Sequence, residues 1–356
     1  MENLQQAATI FLFLSLISFL ANLSTAAAAT SRAVFVFGDS TVDVGNNNFL
    51  PNDAPKANFH PYGVDFPGRI PTGRFGNGFL GVDFVAHAAG IHRSPPPFLS
   101  LRNAVHGRRG VNFASAGSGV LDTTGTDVVT MTQQIKDFST FAGNLRASKG
   151  DRSAAFFLSK SLFYVSVGSN DLFAFSTVLI PGNGTQKDEI VAAVLSQFAG
   201  QLRSIYQLGA RKFAVPGTGQ LGCIPGVRSR VPGGACNPEL NDLSLRYKTA
   251  TRALLDQLAV ELKGFRFSFS DFFEIGSQIQ SDPQKYGFTE LAAPCCGLNA
   301  QGRCDPNSTY CSDRNQYFFW DAVHPSQAVY RLGARLSFYG PRQFAYPVNI
   351  HSLLEN

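Results

Sequence analysis

Five short apolar runs, at residues 33–37, 111–114, 162–167, 213–215 and 265–269, do most to limit what this chain can become. Each is too short for a core helix and rich in Val and Phe, the pattern of a buried strand. The stretches between them have a helical period. Ile190, Val194, Leu195, Phe198, Leu202 and Ile205 share one helix face, as do Leu240, Leu243, Tyr247, Ala250, Leu254, Leu258 and Leu262. The second stripe is bracketed by Asn237 as N-cap, Pro238 at the first helical position and Gly264 just past the end. Strands alternating with helices make an α/β chain: a parallel sheet covered by helices on both sides. With 44% hydrophobic and 15% charged residues, the chain can fill such a core. Residues 30–356 show no internal repeat or long linker and are expected to form one domain. Within it, 281–316 is rich in Cys, Gly, Pro and Asn, lacks an apolar period, and is expected to be a disulfide-stapled excursion.

The N-terminus reads as a targeting segment. Residues 7–23 are dominated by Ile, Leu, Phe and Ala, and Ala26 to Ala29 offer a small-residue cleavage site. A spanning anchor needs about 17–25 apolar residues, and this run is shorter and interrupted by serines. Residues 1–29 are therefore expected to be a signal peptide, with export and no membrane span once it is removed. An uncleaved Golgi anchor is the alternative. An even set of six cysteines, Cys223, Cys236, Cys295, Cys296, Cys304 and Cys311, suits an oxidising compartment. Cys223 and Cys236 are expected to close one loop, and the other four leave three connectivities open. The Cys-x-x-Cys and His spacing of a zinc site is absent. Asn183 and Asn307 begin glycosylation sequons. The formal charge of +5 is spread without long blocks, the densest basic stretch running over 102–109. That is no nucleic-acid footprint.

Chemistry gathers where the strands end. In open parallel sheets, ligands bind beyond the carboxyl ends of the strands. Ser40 follows the first run, Gly117 the second and Asn170 the third. A flavodoxin-like strand order makes those runs neighbours. Near the other end of the chain, Asp321 and His324 stand in an Asp-x-x-His-Pro sequence. Acyl transfer needs a nucleophile, a base beside it and an acid that orients the base, and Ser40, His324 and Asp321 supply these types. The amides of Ser40 and Gly117 and the carboxamide of Asn170 supply donors for an oxyanion. Each short motif alone has a plainer reading: Gly-Asp-Ser as a strand-end turn, Gly-x-Asn-Asp as a helix cap, Asp-x-x-His-Pro as a turn. Asp43 and Asn46, Asn47 and Asn48 read as loop structure beside Ser40, and Trp320 as a packing anchor. His60, His87, His92, His106 and His351 lack ligand spacing and read as surface or packing residues. No Gly-x-Ser-x-Gly elbow occurs, which disfavours an α/β-hydrolase.

Four blocks in order, Phe-Gly-Asp-Ser-Thr-Val-Asp-Val-Gly-Asn-Asn-Asn (37–48), Val-Asn-Phe-Ala-Ser-Ala-Gly-Ser-Gly (111–119), Val-Gly-Ser-Asn-Asp (167–171) and Phe-Trp-Asp-Ala-Val-His-Pro (319–325), resemble the plant-type GDSL group of the SGNH hydrolases. The resemblance runs from about residue 33 to about residue 340. It implies a three-layer α/β/α fold, with Ser40, Gly117, Asn170 and His324 as the four eponymous residues and Asp321 completing the triad. Thr41 stands where the family name has Leu, and Ala116 where a glycine is common, a change expected to narrow the pocket slightly. The expectation is a secreted carboxylic ester hydrolase working through an acyl-serine, with no metal or organic cofactor. Its partner is an ester substrate, either acetyl groups on a polysaccharide such as xylan or lipid and other acyl esters. The alternatives are acyl transfer to a sugar or alcohol, and a non-catalytic binding protein on the same scaffold.

Overall fold

The first apolar run forms β1 (Val34–Gly38), and every one of its residues is buried. Its side chains alternate between two cores: Phe35 and Phe37 face one and Val34 and Val36 the other. A strand covered on both faces has to lie inside a layered sheet. The computed structural model describes residues 33–51, 53–101 and 109–355. The segment read as a signal peptide and most of the basic stretch at 102–109 lie outside the described residues.

The chain continues through α1 (Gly81–Ala88), α2 (Met131–Lys149), α3 (Asp151–Lys160) and β2 (Leu162–Ser166). Next come α4 (Ser169–Ser176), α5 (Gly184–Gln207), β3 (Lys212–Pro216) and the short α6 (Pro225–Arg228). Then follow α7 (Pro238–Glu261), β4 (Arg266–Ser270), α8 (Phe272–Ser281), β5 (Glu290–Pro294) and β6 (Tyr317–Phe319). The last elements are α9 (Gln327–Tyr339), β7 (Ala345–Tyr346) and α10 (Ile350–Glu355).

The main sheet has the order β1-β2-β3-β4-β7, parallel from β1 to β4. Its last strand, β7, is antiparallel and only two residues long, a strand the sequence pattern did not indicate. The run at 111–114 behaves as an outer parallel strand, although it is bonded too sparsely to count as a full one. Val36 N donates to Val111 O at 3.0 Å, and Phe113 N donates to Val36 O at 2.7 Å. Only Val36 and Asn112 form a ladder bridge there. With that run outside β1, the parallel order is the flavodoxin-like one, and the ends carrying Ser40, Gly117 and Asn170 are neighbours.

The helices sort onto two faces. Residues of α2, α3, α5 and α7 pack with Phe35, Phe163 and Phe213, while α1, α9 and α10 pack with Val34, Val36 and Tyr164. Phenylalanine fills the first face in a row across the strands, Phe35–Phe163 at 5.2 Å and Phe163–Phe213 at 5.9 Å between ring centres. The architecture is three-layer α/β/α. The caps read from the sequence are in place on α7. Asn237 Oδ1 accepts from Glu239 N and Leu240 N, at 3.0 and 3.1 Å. Such a cap contributes about 1 kcal/mol.

All six cysteines are paired, as Cys223–Cys236, Cys295–Cys311 and Cys296–Cys304. The last two bridges pin the 281–316 segment, which also forms a two-stranded sheet, β5 beside β6. Asn183 caps α5 through Gln186 N at 3.0 Å, and Asn307 lies exposed in a turn. Among the described residues, no helix is long and apolar enough to cross a membrane.

Candidate active site

The strand-end turn that presents Ser40 is built from backbone contacts too close for side chains. Gly38 has φ +139°, and a Cβ there would collide with the Ser166 carbonyl of β2. The Gly38 carbonyl accepts from Ser115 N at 3.0 Å, Gln134 Nε2 at 2.9 Å and Ser118 Oγ at 2.7 Å. Asp39 Oδ1 then folds the chain over by accepting from Thr41 N at 2.9 Å and Thr41 Oγ1 at 2.7 Å. Thr41 thus stabilises the turn. Ser40 is left half-buried at its tip.

The far end of the chain meets this turn. His324 Nε2 lies 2.8 Å from Ser40 Oγ. On the other side of the ring, Nδ1 lies 2.8 Å from Asp321 Oδ2 and 2.9 Å from Oδ1. A carboxylate only accepts, so Nδ1 carries the proton and Nε2 is left as an acceptor facing the serine hydroxyl. Asp321 also accepts from Val323 N and His324 N, each at 2.8 Å, and from the Tyr62 hydroxyl at 2.7 Å. Trp320 is fully buried, packed with Tyr62 and Phe75, and its backbone N–H donates to the His324 carbonyl at 2.8 Å. The anchoring role read from the sequence is the one it has.

Two buried carboxyls interact with His324, and their environments push them apart. Burial raises Asp321, yet the charge and hydrogen bonds of His324 and the two backbone N–H groups outweigh it, and its pKa falls below the usual carboxylate value. Burial also raises Asp39, and its partners compensate less, so it is pushed up to about 6. Asp321 is therefore the acid that stays ionised against the ring. Tyr62 is held well above an ordinary phenol, by burial first and then by the Asp321 charge, and remains a donor. Sequence reasoning missed Tyr62. It sits in a Phe- and Pro-rich loop far from the Asp321 motif, and nothing local marks its partner.

Gly117 has φ +92°, a conformation that favours glycine. Its N–H, like that of Ser40, makes no hydrogen bond among the described residues. Asn170 sits in the first turn of α4 without capping it, since that helix has no side-chain cap bond. One of its amide hydrogens goes to Ser118 O at 2.9 Å, which ties it to the Gly117 loop and leaves the other free. The next residue, Asp171, fastens that loop further by accepting from Val120 N at 2.7 Å and Leu121 N at 3.0 Å.

The asparagines after Ser40 are buried struts. Asn46 Nδ2 donates to Ala114 O at 2.8 Å, and Asn47 Nδ2 donates to Ala116 O at 2.9 Å. Asp43 accepts from the N–H groups of Gly45, Asn46 and Ala116 at 2.8, 2.7 and 3.0 Å. Together they lash the Ser40 turn to the Gly117 loop. Ala116 packs in the cluster with Tyr62, Phe75 and Trp320, away from the cavity wall, so it does not narrow the pocket. His60, His87 and His351 lie against aromatic rings, as packing residues do.

Beside Ser40 and Asn170 opens a cavity of about 170 Å³, floored by Tyr164 and walled by the ends of β2 and β3, α8 and the loops at 217–224 and 318–325.

The sequence model of the GDSL-like lipase/acylhydrolase family matches residues 34–336. An Arabidopsis thaliana protein named GDSL esterase/lipase is 37% identical over 332 residues, which is 90% of this chain and 85% of that relative. A second Arabidopsis thaliana GDSL esterase/lipase is 38% identical over 337 residues, 90% of this chain and 88% of its own. A third, GDSL esterase/lipase 7 of the same plant, is 34% identical, covering 90% and 91%. The chain belongs to the GDSL-like lipase/acylhydrolase family and is a carboxylic ester hydrolase.

Proposed function

We propose that the enzyme cleaves its ester in two steps through an acyl group on Ser40. Ser40 Oγ attacks the ester carbonyl while His324 Nε2 takes its proton. The tetrahedral oxyanion is met by the N–H groups of Ser40 and Gly117 and by the Asn170 carboxamide. The intermediate collapses, His324 returns the proton to the leaving alcohol, and Ser40 holds the acyl group. A water molecule then repeats the sequence and frees the acid. Asp321 fixes the imidazole tautomer and stabilises the imidazolium of each half-reaction. The observation that carries this reading is the unbroken line from Asp321 through His324 to Ser40, with both bonds at 2.8 Å.

The compartment belongs to the proposal as well. The apolar leader sequence and three paired disulfides support passage through the oxidising secretory pathway, with Asn183 and Asn307 as glycan acceptors. Acetyl esters of polysaccharides and longer acyl esters both present the carbonyl this site attacks.

Asn170→Ala tests the mechanism. Its carboxamide is aimed at charge that exists only in the transition state, so kcat falls about 100- to 1,000-fold while KM stays near the wild-type value. No capping bond is lost, and the lost bond to Ser118 O costs about 1 kcal/mol, so the thermal midpoint falls only slightly. Wild-type kcat in folded Asn170→Ala protein would remove the oxyanion role.

A further inference from the structure

The cavity beside Ser40 is too large for an acetyl group and too small for a long lipid tail. Its volume of about 170 Å³ is close to that of an engineered apolar cavity, about 150 Å³, that takes up benzene. Much of the lining is apolar, Phe173, Leu221, Ile224, Phe272, Phe318 and Val323 among it. A methyl group would leave most of that surface without a partner, and a sixteen-carbon chain would overrun it. The leaving oxygen has to face His324 Nε2, and the cavity is lined by Ser40 and Asn170 but not by His324, which places the acyl group in it.

Polar residues line it too, Thr41, Ser166, Thr218, Gln220 and Gln280 among them. The Gln220 carboxamide, in the loop after β3, lines this region, and its oxygen is buried on the α8 side with no hydrogen-bond partner among the described residues. A buried polar group of this kind calls for a partner. A hydroxyl both donates and accepts, so it pairs with the Gln220 carboxamide in either orientation. We infer that the cavity selects an acyl group of about six carbons, or a single ring, that carries a hydroxyl. The inference rests on Ser40 being the acylated nucleophile.

Gly276 gives a direct test. It lies in α8 on the cavity wall, and a Cβ added there would meet only Gln220 Oε1, at an ordinary 3.6 Å. Gly276→Leu therefore projects into the cavity without a backbone clash, and leucine is a better helix former than glycine. The measurement is kcat/KM for the p-nitrophenyl esters of acetate, hexanoate, 6-hydroxyhexanoate and palmitate. At about fourfold per buried methylene, wild-type enzyme should prefer hexanoate to acetate on the order of 100-fold. It should also prefer hexanoate to palmitate, and 6-hydroxyhexanoate to hexanoate by about fivefold. Gly276→Leu should lower the hexanoate-to-acetate ratio at least about tenfold, and Gln220→Leu should abolish the preference for the hydroxyl. A preference for acetate or palmitate, or a ratio that ignores Gly276→Leu, would overturn the size assignment. A hydroxyl preference that survives Gln220→Leu would overturn the role of Gln220. If folded protein turns over none of the four esters, the Ser40 reading fails and this inference with it.

Discussion

Replacing His324 with alanine should lower kcat by about a millionfold, the scale on which removing the base of a serine triad disables the whole unit. The size of the loss follows from the geometry. Ser40 Oγ has His324 Nε2 at 2.8 Å as its proton acceptor, and Asp39, the neighbouring carboxyl, spends an oxygen on Thr41. Without the imidazole, the hydroxyl attacks as a weak nucleophile and the departing alkoxide leaves unprotonated. The fold should survive the change. The backbone bonds of His324, from its N–H to Asp321 Oδ1 and from Trp320 N to its carbonyl, do not involve the ring. What is lost structurally is the contact of the ring with Phe75, 4.9 Å between centres, and its bond to the Asp321 carboxylate, which keeps the N–H groups of Val323 and His324 and the Tyr62 hydroxyl. Steady-state kinetics and a thermal melt on one preparation check both halves. More than about 1% of wild-type kcat in folded His324→Ala protein would remove the base from the mechanism.

Asp321→Asn should cost about ten-thousandfold in kcat with little change in KM. Asn has the shape of Asp, but it places an NH2 where the carboxylate accepts. With Oδ1 still taking the N–H groups of Val323 and His324, the NH2 faces His324 Nδ1 and the Tyr62 hydroxyl. Nδ1 must then become the acceptor, the ring proton moves to Nε2, and the histidine can no longer accept from Ser40. The same carboxylate contributes to stability, with a definite sign. Its folded pKa is lowered below the usual carboxylate value, so its contribution is complete above about pH 4 and is lost as pH falls through the folded value. Asp321→Asn should therefore narrow the gap between the thermal midpoints at neutral and strongly acid pH. A variant with wild-type kcat, or with an unchanged pH dependence of its midpoint, would separate Asp321 from the roles given to it.

The legible parts of this protein are those whose information is local. The strand runs at 33–37, 162–167, 213–215 and 265–269 carry their apolar pattern within a few residues, and each forms a strand within a residue or two of its reading. Ser40 and Asn170 are placed because each follows such a run directly, and Asp321 and His324 because only two residues separate them. The run at 111–114 was harder to classify. Asn112 breaks its pattern, because its side chain braces the Val42 carbonyl at 2.7 Å. The two-residue strand β7 has no pattern to read, since it is held by pairing with β4 alone. Tyr62 goes unassigned, and Asp43, Asn46 and Asn47 read only as loop structure, for a different reason. Their function lies in partners many residues away, and a sequence shows a hydrogen-bonding side chain without showing what it reaches. The pairing of Cys295 with Cys311 and of Cys296 with Cys304 is of the same kind, because adjacent cysteines leave the choice to the fold.

The central claim is that Ser40 is the residue that becomes acylated. Ser115 and Ser118 stand near it in the fold, but their hydroxyls are buried and committed, to Asn47 Oδ1 at 2.6 Å and to Gly38 O at 2.7 Å. A fluorophosphonate probe phosphonylates an activated serine with loss of fluoride, and peptide mapping then locates the adduct. The account predicts one adduct, on Ser40, that disappears in His324→Ala. An adduct on Ser115 or Ser118, or on no serine of enzyme that still hydrolyses esters, would contradict it.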